Sequence, residues 1–115
     1  MRMQTLTVEI DHLTRKLLSV GRAVTYDDAR KMILEGCILV TKGVQPIKRI
    51  RSTRKVVADV ERCVDAFPAK LLSVRPIIAA QEEPVGIVFN AIDPSLQEFI
   101  DALAKLNAVI AAKLL

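Results

Sequence analysis

The stretch "CILVTKGVQPIKRIRSTRKVVADV", Cys37–Val60, decides how the rest of the chain is read. It opens with "CILVT", a continuous β-rich run, and "KG" at 42–43 supplies a tight turn. "VQPIKRI" returns after it, with Pro46 suited to a sheet edge or a strand start. "KVVADV" at 55–60 then follows the "RSTR" turn as a third strand. Read this way, the segment is a small antiparallel sheet whose turns are basic.

On the N-terminal side, "TLTVEI" alternates, with Leu6, Val8 and Ile10 on one face, and reads as a further short strand. Asp11 can cap a helix to about Val20, with Leu13, Leu17 and Val20 as its buried stripe and Gly21 as its end. Thr25, with Asp28 three residues on, marks the start of a second helix. Its inner face is Tyr26, Ala29, Met32 and Ile33, and Gly36 stops it.

On the C-terminal side, a helical piece at 64–73 is broken by Pro68, and "RPIIAA" and "VGIVFNAI" flank "QEEP" as a second apolar hairpin. Asp93 and Pro94 then open a helix that can run to the end. Its stripe is Leu96, Phe99, Ile100, Leu103, Leu106, Ile110 and Leu114. The expected fold is a single α+β domain over 1–115. It has a small antiparallel sheet of four or five strands, two N-terminal helices and a long C-terminal helix across the sheet. "KLLSV" occurs at Lys16–Val20 and at Lys70–Val74, but its flanks do not match, so it marks no duplication.

Composition limits what the fold can do. The chain has 115 residues, three Phe, one Tyr and no Trp, so its core is written in aliphatic residues. Residues 1–62 hold thirteen Lys/Arg against seven Asp/Glu, and residues 63–115 hold four against six. The first half therefore suits an anionic partner, or is the basic solvated face of an ordinary soluble protein. Cys37 and Cys63 have no motif spacing, which points away from a disulfide framework or a zinc site. The start lacks an apolar signal core, and no run approaches the ~20 apolar residues of a membrane span. A cytoplasmic chain that does not enter the membrane is expected.

Catalytic chemistry finds few residues to stand on. His12 is the only histidine, and the glycines at 21, 36, 43 and 86 form no phosphate-cradling motif. Neither a metal nor a cofactor is expected, and the chain reads as non-enzymatic. The densest chemical feature is "KRIRSTRK", 48–55, in which five of eight residues are Lys or Arg. Such a turn can meet several phosphates, and without interleaved aromatics it would contact backbone rather than bases. Charge guarding a sheet edge against aggregation explains the same run.

From Leu13 to about Pro46, the order of "LL" helix, Gly21, "TYDDARKMILEG" and "CILVTKGVQP" resembles the S4-type RNA-binding domain. Gly21, Ala23, Ala29, Arg30, Ile33, Gly36, Leu39 and Val40 occupy that family's positions. Tyr26, Asp27 and Asp28 depart from it, because the family carries basic residues there, and Lys42-Gly43 replaces its Asn-Gly turn. The resemblance implies a β-containing RNA-binding module with Arg30, Lys31, Lys42 and the 48–55 run near phosphate. "ILVTKGVQPIKRI" is also similar to the strand-turn-strand of a family of dimeric, DNA-binding antitoxins.

Two functions follow as expectations. One is a non-catalytic module that contacts structured RNA, or the phosphate backbone of other nucleic acid, through a basic β-hairpin. Its residues are Arg30, Lys31, Lys42, Lys48, Arg49, Arg51, Arg54 and Lys55. The other is a homo-oligomeric assembly or regulatory protein, most simply a dimer. Its interface is the apolar end of the last helix, at Leu103, Leu106, Val109, Ile110 and Leu114.

Overall fold

Leu6, Ile10, Leu13 and Leu17 are fully buried at spacings of four, three and four, the repeat of one helix face. They belong to α1 (Met3–Leu18), the first of four helices among the described residues. The others are α2 (Tyr26–Val44), α3 (Arg54–Gln81) and α4 (Asp93–Lys113). This is a computed structural model; it describes residues 3–18, 26–81 and 93–114, with side chains for 3–18, 30–71 and 94–114.

Each helix packs on two neighbours: α1 on α2 and α4, and α3 on α2 and α4. Successive helices run antiparallel. The 45–53 turn reverses the chain between α2 and α3, and along α3 and α4 Asp59 faces Asp101 and Lys105 while Ala66 faces Ser95. Leu13 of α1 lies against Gly36, and Asp11 accepts a 2.8 Å hydrogen bond from Asn107 near the end of α4. The N-terminus of α1 therefore shares an end of the bundle with the 45–53 turn and the C-terminus of α4. Phe67 and Phe99 meet edge-on across the α3–α4 seam, ring centroids 5.9 Å apart.

No strand occurs among the described residues, which overturns the expected α+β sheet. The reason is that period outweighs β-propensity. Around "CILVT", the buried residues are Ile33, Cys37, Val40 and Val44, at four, three and four, while Ile38 and Leu39 face out. "KVVADV" continues into Val57, Val60, Phe67 and Leu71 on one helical line. In "TLTVEI", Val8 is half exposed between buried Leu6 and Ile10, which a strand with all three on one face does not allow.

Gly36 does not stop a helix. It sits in mid-α2, where a Cβ would lie 2.8 Å from Leu13 Cδ1, so its role is close approach of α1. α3 runs through Pro68, which lacks the N–H for Val64 and costs a free helix about 3 kcal/mol. Phe67 and Leu71, buried on either side, offset that at about 2–3 kcal/mol each. "RPIIAA" lies within α3, so it is not a strand either. The "VGIVFNAI" segment lies outside the described residues. α4 follows the expected stripe, with Phe99, Leu103, Leu106 and Ile110 fully buried. No helix among the described residues is long and apolar enough to cross a membrane.

Candidate nucleic-acid interface

α2 ends where Pro46 removes a backbone donor. The Gln45 N–H turns to the Lys42 carbonyl at 3.3 Å, and the Gln45 side-chain amide takes the freed Thr41 carbonyl at 3.0 Å. The chain then makes tight turns, with the N–H groups of Ile47 and Lys48 both donating to the Val44 carbonyl. Ile47 is buried beneath the turn and plugs the end of the core.

Thr53 closes the turn and is the one fully buried polar residue among those described. Its Oγ1 lies 2.5 Å from the Ile47 carbonyl oxygen and 3.1 Å from that of Ile50, so one proton serves two carbonyls. Its own carbonyl accepts from the Val57 N–H and starts the α3 ladder. Residues 48–51 are thereby held between two fixed points.

The expected β-hairpin is thus a helix–helix turn, yet it gathers most of the cations assigned to it. Lys42 is in the last turn of α2, Lys48, Arg49 and Arg51 are on the turn, and Arg54 and Lys55 start α3. Lys48 is half-buried and the other five are exposed. Between Glu35 and Asp59 there are these six cations and no carboxylate. The first turn of α1 carries no acid, and the last turn of α4 adds Lys113 to the same end. That end is about 20 × 18 Å across. Among the described residues, none of the six makes an ion pair with a carboxylate.

The flank of the bundle differs. On the α3–α4 seam, Arg62 meets Glu98 at 2.9 Å and Asp59 at 3.8 Å, and Gln97 donates to Asp101 at 2.9 Å. Both signs are mixed there, Arg62 and Lys105 among Asp59, Glu98 and Asp101.

Arg30 and Lys31 lie near the start of α2, away from the turn. Lys31 is exposed, and Arg30 is half-buried with its Nε enclosed and unbonded. The side chains of Asp27 and Asp28 lie outside the described residues. The segment that resembles the S4-type strand and turn, Cys37 to Val44, is the second half of α2.

The residues assigned to an oligomer interface are largely used within the chain. Leu103, Leu106 and Ile110 are fully buried in its own core, Leu114 is packed against that core, and Val109 is half-buried. Among the described residues of "AVIAAKLL" the exposed apolar positions are Ala108, Ala111 and Ala112, so a run apolar nearly all round puts none of its described large apolar side chains fully in water.

Other chemistry is sparse. Burial pushes the Cys37 thiol up to about 12, and burial, with the Glu98 carboxylate second, raises that of Cys63. Both stay protonated and poorly nucleophilic at neutral pH. Among the described residues, no three His, Cys, Asp or Glu side chains come together as a metal site. No family model, curated protein or solved structure matches the chain.

Proposed function

We propose that this protein is a non-catalytic module that binds nucleic acid through its phosphate backbone, structured RNA foremost, using the basic end of a helical bundle. The observation that carries the reading is the concentration of Lys42, Lys48, Arg49, Arg51, Arg54 and Lys55 on one end without a carboxylate among them. Solubility alone is served by mixed signs, as on the α3–α4 seam. The competing explanation, charge guarding a sheet edge, requires a sheet, and the turn joins two helices. The reading stands on this charge and not on the likeness to S4-type domains.

Among the described residues, the blunt end has no free helix to enter a major groove and no aromatic side chain on which a base could stack, which favours contacts to phosphate. A cytoplasmic location goes with the reading, as do two buried thiols left unpaired.

Fluorescence anisotropy with a labelled RNA hairpin and a DNA duplex, across a potassium chloride series, tests this. A face of this size engages about four phosphates, so log K falls with log salt at a slope of about −3 to −4. The variant Arg49→Ala/Arg51→Ala/Arg54→Ala flattens the slope by about three. No binding to either probe at low salt refutes the proposal, and tighter binding to the duplex DNA moves the partner from RNA to DNA.

A further inference from the structure

The largest exposed aliphatic side chains of α2 are Ile38, 54% exposed, and Leu39, 38% exposed, side by side opposite the helix's buried line. Ile38 forms part of a shallow apolar groove that continues over Leu34, Cys37 and Thr41 to Val64 of α3. Two large apolar residues in water at the rim of such a groove are a surface waiting for a partner.

Charge identifies that partner. Glu35 stands three residues before Ile38 and Lys42 three residues after Leu39, both exposed. The sequence is therefore antisymmetric in charge about the point between Ile38 and Leu39. A second α2 laid antiparallel across this point, with a two-fold axis through it, sets Ile38 against Leu39 of the second copy. It also sets Glu35 against Lys42 of the second copy, and symmetry makes both contacts twice. A parallel arrangement would face Glu35 with Glu35 and Lys42 with Lys42. Within one helix the two charges are seven residues apart, about 10 Å, too far to pair with each other. Among the described residues neither makes an ion pair.

We infer that the chain forms a two-fold symmetric dimer through the outward face of α2. This interface is separate from the apolar end of α4 and does not rest on nucleic-acid binding. It has two consequences for the basic end: Glu35 of the second copy takes up each Lys42, leaving the other five cations for phosphate, and the two 45–53 turns begin on opposite sides of the axis, about 20 Å apart along α2. In the same register, Lys31 of the second copy comes opposite Pro46 and adds a cation beside each turn.

Sedimentation equilibrium of the full chain over a concentration series, with no nucleic acid present, tests the inference. A reversible dimer is expected. Ile38→Glu gives a monomer at concentrations where the wild type is dimeric, with unchanged circular dichroism, and its melting temperature matches the wild type's only at dilutions where both are monomeric. Glu35→Lys and Lys42→Glu each weaken dimerisation about tenfold by turning two rim attractions into repulsions. The double exchange E35K/K42E returns it to within about threefold of wild type, because the reciprocal pairs re-form with signs reversed. A monomeric wild type, a dimer indifferent to Ile38→Glu, or a double exchange no better than the single ones would each overturn the inference.

Discussion

Thr53→Val is the sharpest probe of the turn that carries the cations. Valine keeps the shape of threonine and removes the only fully buried polar side chain among the described residues. Neither carbonyl that shares its hydroxyl proton is left bare. Ile47 still accepts from the Ile50 N–H at 3.1 Å, and Ile50 still accepts from the N–H groups of residue 53 at 3.1 Å and Arg54 at 3.0 Å. The loss therefore falls near the low end for a buried hydrogen bond, about 1 kcal/mol. Thr53→Ser keeps the hydroxyl and loses one buried methyl, also about 1 kcal/mol. Thr53→Ala loses both, about 2 kcal/mol. For a chain of 115 residues each kcal/mol moves the melting temperature by about 3–5 °C. Urea and thermal unfolding followed by far-UV circular dichroism measure the series. Valine also loosens residues 48–51, so it weakens RNA binding at fixed salt, and serine leaves binding near wild type. Valine as stable as wild type, or serine as damaging as alanine, would refute the role given to the hydroxyl.

Two further outcomes follow from the interior. Gly36→Ala gains about 1 kcal/mol of helix propensity. It also puts a methyl 2.8 Å from Leu13 Cδ1, and because Leu13 is fully buried, overpacking costs more, about 2 kcal/mol. A net loss of about 1 kcal/mol is expected in urea unfolding, and the same change becomes stabilising in a Leu13→Val background. The Cys37 thiol is raised from 9.0 to about 12 in the folded state, so the unfolded chain releases that proton first. Its contribution to stability is whole below pH 9 and is lost as pH rises from 9 towards 12, at no more than about 1.4 kcal/mol per unit. Stability measured across this range falls more steeply for wild type than for Cys37→Ala, and equal slopes would count against a desolvated thiol.

The helices were legible in the sequence where a clean stripe runs over several turns, and misread over short windows, whether the apolar residues alternate, as in "TLTVEI", or stand together, as in "CILVT". α4 is marked by Asp93-Pro94 and by a clean stripe, and it runs as that pattern says. In "CILVT" four apolar residues stand together, so strand and helix fit equally well over so short a window. Extending the window back to Ile33 and on to Val44 brings out the four-three-four spacing that settles it. Gly36 misled for a similar reason. A glycine after a helical run reads as a stop, and only the approach of Leu13, distant in sequence, explains one in mid-helix. Thr53 carried no signal at all, because its partners are backbone carbonyls that any sequence provides. The basic cluster was legible because charge density does not depend on the secondary structure beneath it. Arg30 and Lys31 were attached to that cluster by a family pattern, and within one chain the helix holds them apart from it.

The placement of that charge bears on why it exists. Arg54 and Lys55 occupy the first turn of α3, where the helix dipole is positive and acids are the stabilising choice. Two cations there cost roughly 0.3–1 kcal/mol each before their repulsion from Arg49 and Arg51 is counted. Lys42 and Lys113, in last turns, have the favourable sign. A chain arranged only to be stable would exchange Arg54 or Lys55 for glutamate, which suits the positive end of the helix dipole. The α3–α4 seam shows that this fold accommodates carboxylates beside arginine without difficulty. The unfavourable arrangement is confined to the one surface where an incoming anion relieves both the dipole and the mutual repulsion. Bound phosphate would then do for α3 what an acidic first turn does for other helices.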